Sequence, residues 1–169
     1  MPSIKRRAVL ASIVAASAAS ASVPARAQAT KLDDIKKEAA TACLYHCDFG
    51  DAPRFAQMLN NISNHYSVYG SNVFDIQLVT VVHSAGVKFF LDTLEGTPWS
   101  KEAVQPEIFE RMTSLAKNGL VAYLCEITFN RLKIDRAKVR KADFIQFVPS
   151  GVATVAVLQG KGFSYLKVG

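Results

Sequence analysis

Cysteines and histidines have the widest chemical reach in this 169-residue chain, and there are three of each. Cys125 closes an apolar run inside Gly119 to Asn130, GLVAYLCEITFN. An uninterrupted apolar run of that length, entered from the helix-stopping pair Asn118-Gly119, fits a parallel strand buried on both faces. The carboxyl ends of such strands are where ligands and chemistry collect, which would set the thiol at the rim of a crevice. A thiol acts through its thiolate, and a cation or a helix start nearby favours that form. Cys125 is therefore read as a candidate nucleophile. The alternative, a small buried hydrophobe, stands beside it on spacing alone.

Cys43 and Cys47 lie four residues apart. On one strand they would be roughly 13 Å apart, too far for a bridge that needs Cα atoms about 4 to 7 Å apart. Cys43, mid-strand, reads as core. Cys47 reads as lying past the strand end, where it could approach Cys125 as a resolving thiol in a reversible disulfide. His46 and His83 are expected at the same rim. Together the four residues His46, Cys47, His83 and Cys125 could form a soft tetrahedral metal site, but they come from three segments and no compact ligand motif is present. A binding module for a small molecule or soft metal ion is thus the second reading of this rim, and an oligomeric scaffold with packed cysteines the third. Ser150-Gly151 precedes a predicted helix whose free amides could hold an anion.

Several function classes lose their usual supports. The chain has no Walker A sequence, no G-x-G-x-x-G after the first predicted strand and no G-x-S-x-G elbow. The carboxylates Asp48, Asp51, Asp92 and Glu95 follow element ends without pairing for acid–base work, and read as caps and solvated turns.

Lys5, Arg6 and Arg7, the apolar stretch 8–23 and then Ala25-Arg26-Ala27 have the layout of a secretory signal over 1–27. The adjacent arginines point to twin-arginine export, although Val9 and Ala11 depart from the usual pattern after the pair. Sixteen alanine-rich residues are short for a spanning helix of about 20. The segment holds four of the twenty basic residues and none of the fourteen acidic ones, so removing it lowers the formal charge from +6 to +2. No aromatic-interleaved basic cluster remains, which argues against nucleic acid as a partner. No membrane association is expected once the signal is removed, and the location expected is the periplasm. Three cysteines in an exported chain leave at least one outside any intramolecular pair.

The elements that must position these residues follow from periodicity. Residues 28–38 read as a loose polar lead-in, and 39–169 as a single domain. The expected order is a strand over 39–45, a helix over 54–69 capped by Asp51 and stopped by Gly70, and a strand over 73–82. A short helix over 87–94 follows, then a loop whose lone tryptophan, Trp99, reads as a cover. A helix over 106–117, the strand over 120–125 and a mixed segment over 126–141, in which Asp135 caps a turn, come next. The chain closes with a strand over 144–148, a helix over 152–159 and a strand over 163–168. Strands alternating with helices predict a three-layer α/β/α sandwich on a largely parallel sheet of about five strands.

With those residues in view, the chain resembles the DsrE/DsrF-like sulfur-transfer family, in its signal-bearing, periplasmic type. The stretches that carry the resemblance are YHCDFGD at 45–51 with NNISNH at 60–65, VVHSAGV at 81–87, Asn118-Gly119-Leu120 through Cys125, and PSGVA at 149–153 with LQGKGFSY at 158–165. The resemblance implies an α/β/α domain that assembles into oligomers, a homo-oligomer in the simplest case. It also implies a cysteine at the end of a central strand, matched here by Cys125, that accepts sulfur as a persulfide and hands it on. Sulfur donor and acceptor proteins, or small sulfur compounds, would be its partners, and no cofactor is required. His83 matches a histidine common in the signal-bearing members, whereas Cys47 stands where many relatives carry another residue.

Overall fold

A computed structural model describes residues 29–169 except Ser71, Val73 and Val104. The expected signal segment over 1–27 lies outside the described residues. Five parallel strands form one sheet: β1 (Thr41–Cys47), β2 (Ile76–Val82), β3 (Val121–Cys125), β4 (Ile145–Val148) and β5 (Ser164–Leu166), in the order β4-β3-β2-β1-β5. All four pairings are parallel. Four α-helices connect them: α1 (Ala52–Val68), α2 (Pro106–Ala116), α3 (Glu126–Leu132) and α4 (Gly151–Gly160).

The strand order fixes the layers. From β1 to β4 the chain steps one way across the sheet, and α4 then carries it back to the other edge. With crossovers of one hand, that reversal puts α4 on the opposite face. The core accordingly divides in two. Cys43, Tyr45 and Cys47 of β1, Leu78 and Val82 of β2 and Leu124 of β3 pack with Phe55, Met58, Leu59 and Ile62 of α1, Met112 of α2 and Phe129 of α3. Ala42, Leu44, Val79, Val81, Tyr123 and Val148 pack on the other face with Leu158 of α4 and with Ile35. The predicted three-layer α/β/α sandwich is the observed architecture.

Helix α1 shows how local sequence sets an element. The Asp51 side chain accepts a hydrogen bond from the Arg54 N–H at 2.8 Å, Pro53 sits in the first turn, and Gly70 takes φ +59° just past the end. These satisfy the orphan amides and release the chain, as caps do. Phe55, Met58, Leu59, Ile62 and Tyr66 form the buried stripe. Phe55 is the anchor, its ring 4.1 Å from Phe89 and 6.2 Å from Phe90.

Three expectations are corrected. Strand β1 runs two residues later than predicted, so His46 and Cys47 belong to it and do not follow it. In place of a helix over 87–94 there is a 3-10 segment, Ser84–Phe90. The backbone beyond it is taken by pairing with a distant segment: Leu91 bridges Val139, the Asp92 N–H donates to the Lys138 carbonyl, and the Arg140 N–H donates to the Phe90 carbonyl. The lead-in is not loose. The Lys161 ammonium donates to the carbonyls of Leu32, Asp33 and Ile35 at 2.7, 3.0 and 2.6 Å, and Ile35 is buried. No helix among the described residues is long and apolar enough to cross a membrane.

Candidate functional site

The carboxyl ends of the strands lie almost in line, since Cys47 pairs with Val82, Val82 with Leu124, and Cys125 with Val148. Side chains alternate along each strand, so register decides which rim residues meet. His46 belongs to the α4 side of β1 and Cys47 to the α1 side, where it joins the larger core. His83, one residue past β2, has its N–H donated to the Cys47 carbonyl at 3.0 Å, which tethers it to the end of β1.

The two imidazoles meet directly. Nε2 of His46 lies 2.7 Å from Nε2 of His83, with ring centroids 4.8 Å apart and planes tilted by 44°. A bond of that length holds one proton between the two nitrogens, with one ring donating and the other accepting. The outer nitrogens are also engaged. Nδ1 of His46 lies 3.0 Å from the Tyr165 hydroxyl, and Nδ1 of His83 lies 3.0 Å from Ser84 Oγ. Burial pushes both histidines below the usual imidazole range. The charge of His46 adds to that effect on His83, and Asp48 opposes it at both. A neutral pair, joined by one proton, follows.

Ser84 is held in the left-handed region at φ +51°, its N–H donating to Thr128 Oγ1 of α3 at 3.0 Å. A non-glycine residue there is strained, and its backbone bond to α3 keeps it in place. Beside it opens a cavity of about 580 Å³ lined by His83, Ser84, Trp99, Cys125, Arg131 and Ser150, among others. Its walls lie where α3 and α4 leave adjacent strands β3 and β4 toward opposite faces, the place where open α/β sheets gather ligands. Trp99, expected as a cover, is part of that wall.

Gly151 lets these groups come together. A Cβ there would sit 2.9 Å from His83 Cδ2 and 3.2 Å from Cys125 Cβ, so only a glycine allows α4 to start this close to both. Ser150 caps the helix, its Oγ accepting from the Ala153 N–H at 3.3 Å. Cys125 is only 4 % exposed yet lines the cavity, so its access is from the cavity alone.

The structure thus brings together Cys125, His83, His46 and Ser150-Gly151. It does not bring Cys47. That side chain is fully buried, its Sγ 3.7 Å from the Phe49 carbonyl oxygen, and burial pushes its thiol up. Cys47 also lies two strands away from Cys125 on the opposite face of the sheet, so the anticipated Cys47–Cys125 disulfide and the resolving role are corrected: parallel neighbours are about 4.8 Å apart, and two steps exceed the reach of a bridge. The four-ligand metal site of His46, Cys47, His83 and Cys125 fails for the same reason, and no group of three or more metal-binding side chains converges among the described residues. Tyr165, Thr128 and Arg131 are site residues that sequence reasoning missed. Tyr165 had one usable signal, its place in the last predicted strand, 163–168.

No curated protein matches the chain. A solved structure of a Methanobacterium thermoautotrophicum protein of unknown function is similar in fold, with a TM-score of 0.58 at 18% identity over 75% of this chain and 98% of that one. The model of the DsrE/DsrF-like family matches residues 48–168, which begin just after β1 and hold the whole site except His46. The chain belongs to the DsrE/DsrF-like family.

Proposed function

We propose that this protein is a periplasmic sulfur carrier that accepts sulfur on Cys125 as a persulfide and relays it to an acceptor. Membership of the DsrE/DsrF-like family supports a sulfur-relay role in general. The observation that carries the finer reading is the placement of Cys125: last residue of β3, in the wall of a 580 Å³ cavity that also holds an imidazole and a guanidinium.

The chemistry follows from those groups. A donor such as thiosulfate enters as an anion, attracted by Arg131 and by the positive end of α4, whose first residues line the same cavity. The Cys125 sulfur attacks the sulfane sulfur, a Cys–S–S bond forms, the donor's S–S bond breaks, and sulfite leaves with the bonding pair. The thiol proton passes to a nearby base. A thiol of the acceptor later attacks the outer sulfur and regenerates Cys125. Exchange of this kind follows thiolate fraction, leaving group and access, and needs no cofactor. The basic, apolar and small-residue segments over 1–27 support export.

Incubation with thiosulfate or polysulfide followed by intact mass spectrometry tests the reading. The expected result is one added sulfur on the wild type and none on Cys125→Ser. An unmodified wild type, or an adduct that persists in Cys125→Ser, overturns it. The N-terminus of the protein recovered from the periplasmic fraction tests export, with cleavage after Ala27 expected.

A further inference from the structure

We propose that Tyr165, His46, His83 and Ser84 form a proton relay that opens into the Cys125 cavity. It takes up the thiol proton when sulfur is accepted and returns it when sulfur is delivered. The role rests on the sulfur-carrier reading, but the relay itself rests on geometry. Four side chains from β5, β1 and the end of β2 form an unbroken chain of contacts at 3.0, 2.7 and 3.0 Å.

Such a chain has two self-consistent states. In one, the Tyr165 O–H donates to His46 Nδ1, His46 Nε2–H donates to His83 Nε2, and His83 Nδ1–H donates to Ser84 Oγ. In the other, every donor is reversed: Ser84 donates to His83, His83 to His46 and His46 to Tyr165. Moving one proton in at the Ser84 end and one out at the Tyr165 end converts the second into the first, with no side chain displaced. The two ends suit that function. Ser84 and His83 line the cavity with Cys125, whereas Tyr165 is 39 % exposed and can exchange its proton with bulk water. Acceptance by Cys125 balances: the thiol proton enters at Ser84, whose own proton passes to His83, the Cys–S–S bond forms as the donor's S–S bond breaks, and a proton leaves from Tyr165. Delivery runs the sequence backward.

The strain at Ser84 is a second, independent mark of the relay. A serine is kept at φ +51°, where glycine would be at ease, and its hydroxyl is what meets His83. The ionisable groups that face the pair are Asp48 from the β1–α1 turn, Tyr165 from β5, and Cys125 and Arg131 across the cavity. Of these, Asp48 and Arg131 are not links in the chain, Tyr165 is its outer end, and Cys125 is the group it serves.

Long-range proton–nitrogen NMR of the folded protein, with the pH profile of Cys125 alkylation by iodoacetamide, tests the relay without any sulfur donor. His46 and His83 are expected in complementary tautomers and to titrate as one coupled unit. Alkylation of Cys125 should show an inflection at the same pH. His83→Gln should remove that inflection and slow alkylation at neutral pH roughly tenfold. Tyr165→Phe, at a half-exposed position that tolerates the change, should shift the inflection while leaving the fold intact. Histidines that titrate independently, or an alkylation profile that neither variant alters, overturn the relay. A coupled titration without any thiosulfate adduct supports the relay and removes the sulfur chemistry. An adduct on a protein with independent histidines overturns the relay and leaves the carrier.

Discussion

At Gly151 the space a side chain would need is already occupied, by His83 Cδ2 at 2.9 Å, His83 Cβ at 3.0 Å and Cys125 Cβ at 3.2 Å. Gly151→Ala must move either the imidazole or the start of α4. Overpacking of this kind costs about 1–3 kcal/mol, so a loss in that range is expected in urea melts, with Cys125 alkylation altered in parallel. Ser84 predicts the opposite sign. The left-handed conformation costs a non-glycine residue roughly 1–2 kcal/mol, and the greater chain entropy of unfolded glycine returns about 0.5–1 of that. Ser84→Gly is therefore expected to stabilise the fold by about 0.5–1 kcal/mol while it removes the hydroxyl from His83 Nδ1. Greater stability with an altered His83 tautomer separates the strain from the contact. A variant no more stable than the parent would show that loss of the Ser84 hydroxyl contact to His83 offsets the relief of strain, since the backbone bond to Thr128 is kept.

At the scale of the element, β1 determines which thiol is available. His46 and Cys47 are consecutive, and consecutive strand residues face opposite ways, so a His46 on the α4 side commits Cys47 to the core under α1. Gly86 confirms how closely that sulfur is enclosed: a Cβ there would sit 2.7 Å from Cys47 Sγ. Native alkylation is accordingly expected to label Cys125, and to label Cys47 only at the rate of unfolding. Cys47 labelled as fast as Cys125 under native conditions would contradict this register of β1. The same strand separates what the sequence makes legible from what it does not. The apolar run before Cys125, the cap at Asp51 and the stripe from Phe55 to Tyr66 are local signals, and each produces the element expected of it. The end of β1 lies two residues beyond its predicted place because the signal there is weak: Tyr45-His46-Cys47 reads equally well as strand or turn, and pairing with Thr80, Val81 and Val82 decides it. With the end set too early, His46 and Cys47 look like neighbours on one rim, and a disulfide and a metal site follow. The bond between His46 and His83 and the arrival of Tyr165 beside them depend on a register between strands distant in sequence, which periodicity within one segment does not contain.

For the whole molecule, buried ionisable groups set the pH range in which the sheet and its two layers hold together. Burial holds His46, His83 and His65 below the ordinary imidazole value of 6.5. Between their folded values and 6.5 the unfolded chain binds more protons than the folded one, so stability falls as the pH drops through that window and is unaffected by these groups above it. The alkaline side has the opposite cause. Burial raises the thiols of Cys43 and Cys47 above 9.0, and Tyr45 and Tyr123 to about 12. These groups ionise more readily once unfolded, so stability declines as the pH rises past about 9, the ordinary thiol range. Equilibrium urea unfolding from about pH 5 to 10 is expected to give a plateau near pH 7 to 8.5 with a decline on each side. The double variant His46→Gln, His83→Gln should flatten the acid side and leave the alkaline side unchanged, because the thiols and phenols that govern it lie in other parts of the core. An acid limb unchanged in that variant would place the titration elsewhere, with His65 as the remaining histidine, and would mean that the joined imidazoles exchange protons with solvent as readily in the folded protein as in the unfolded chain.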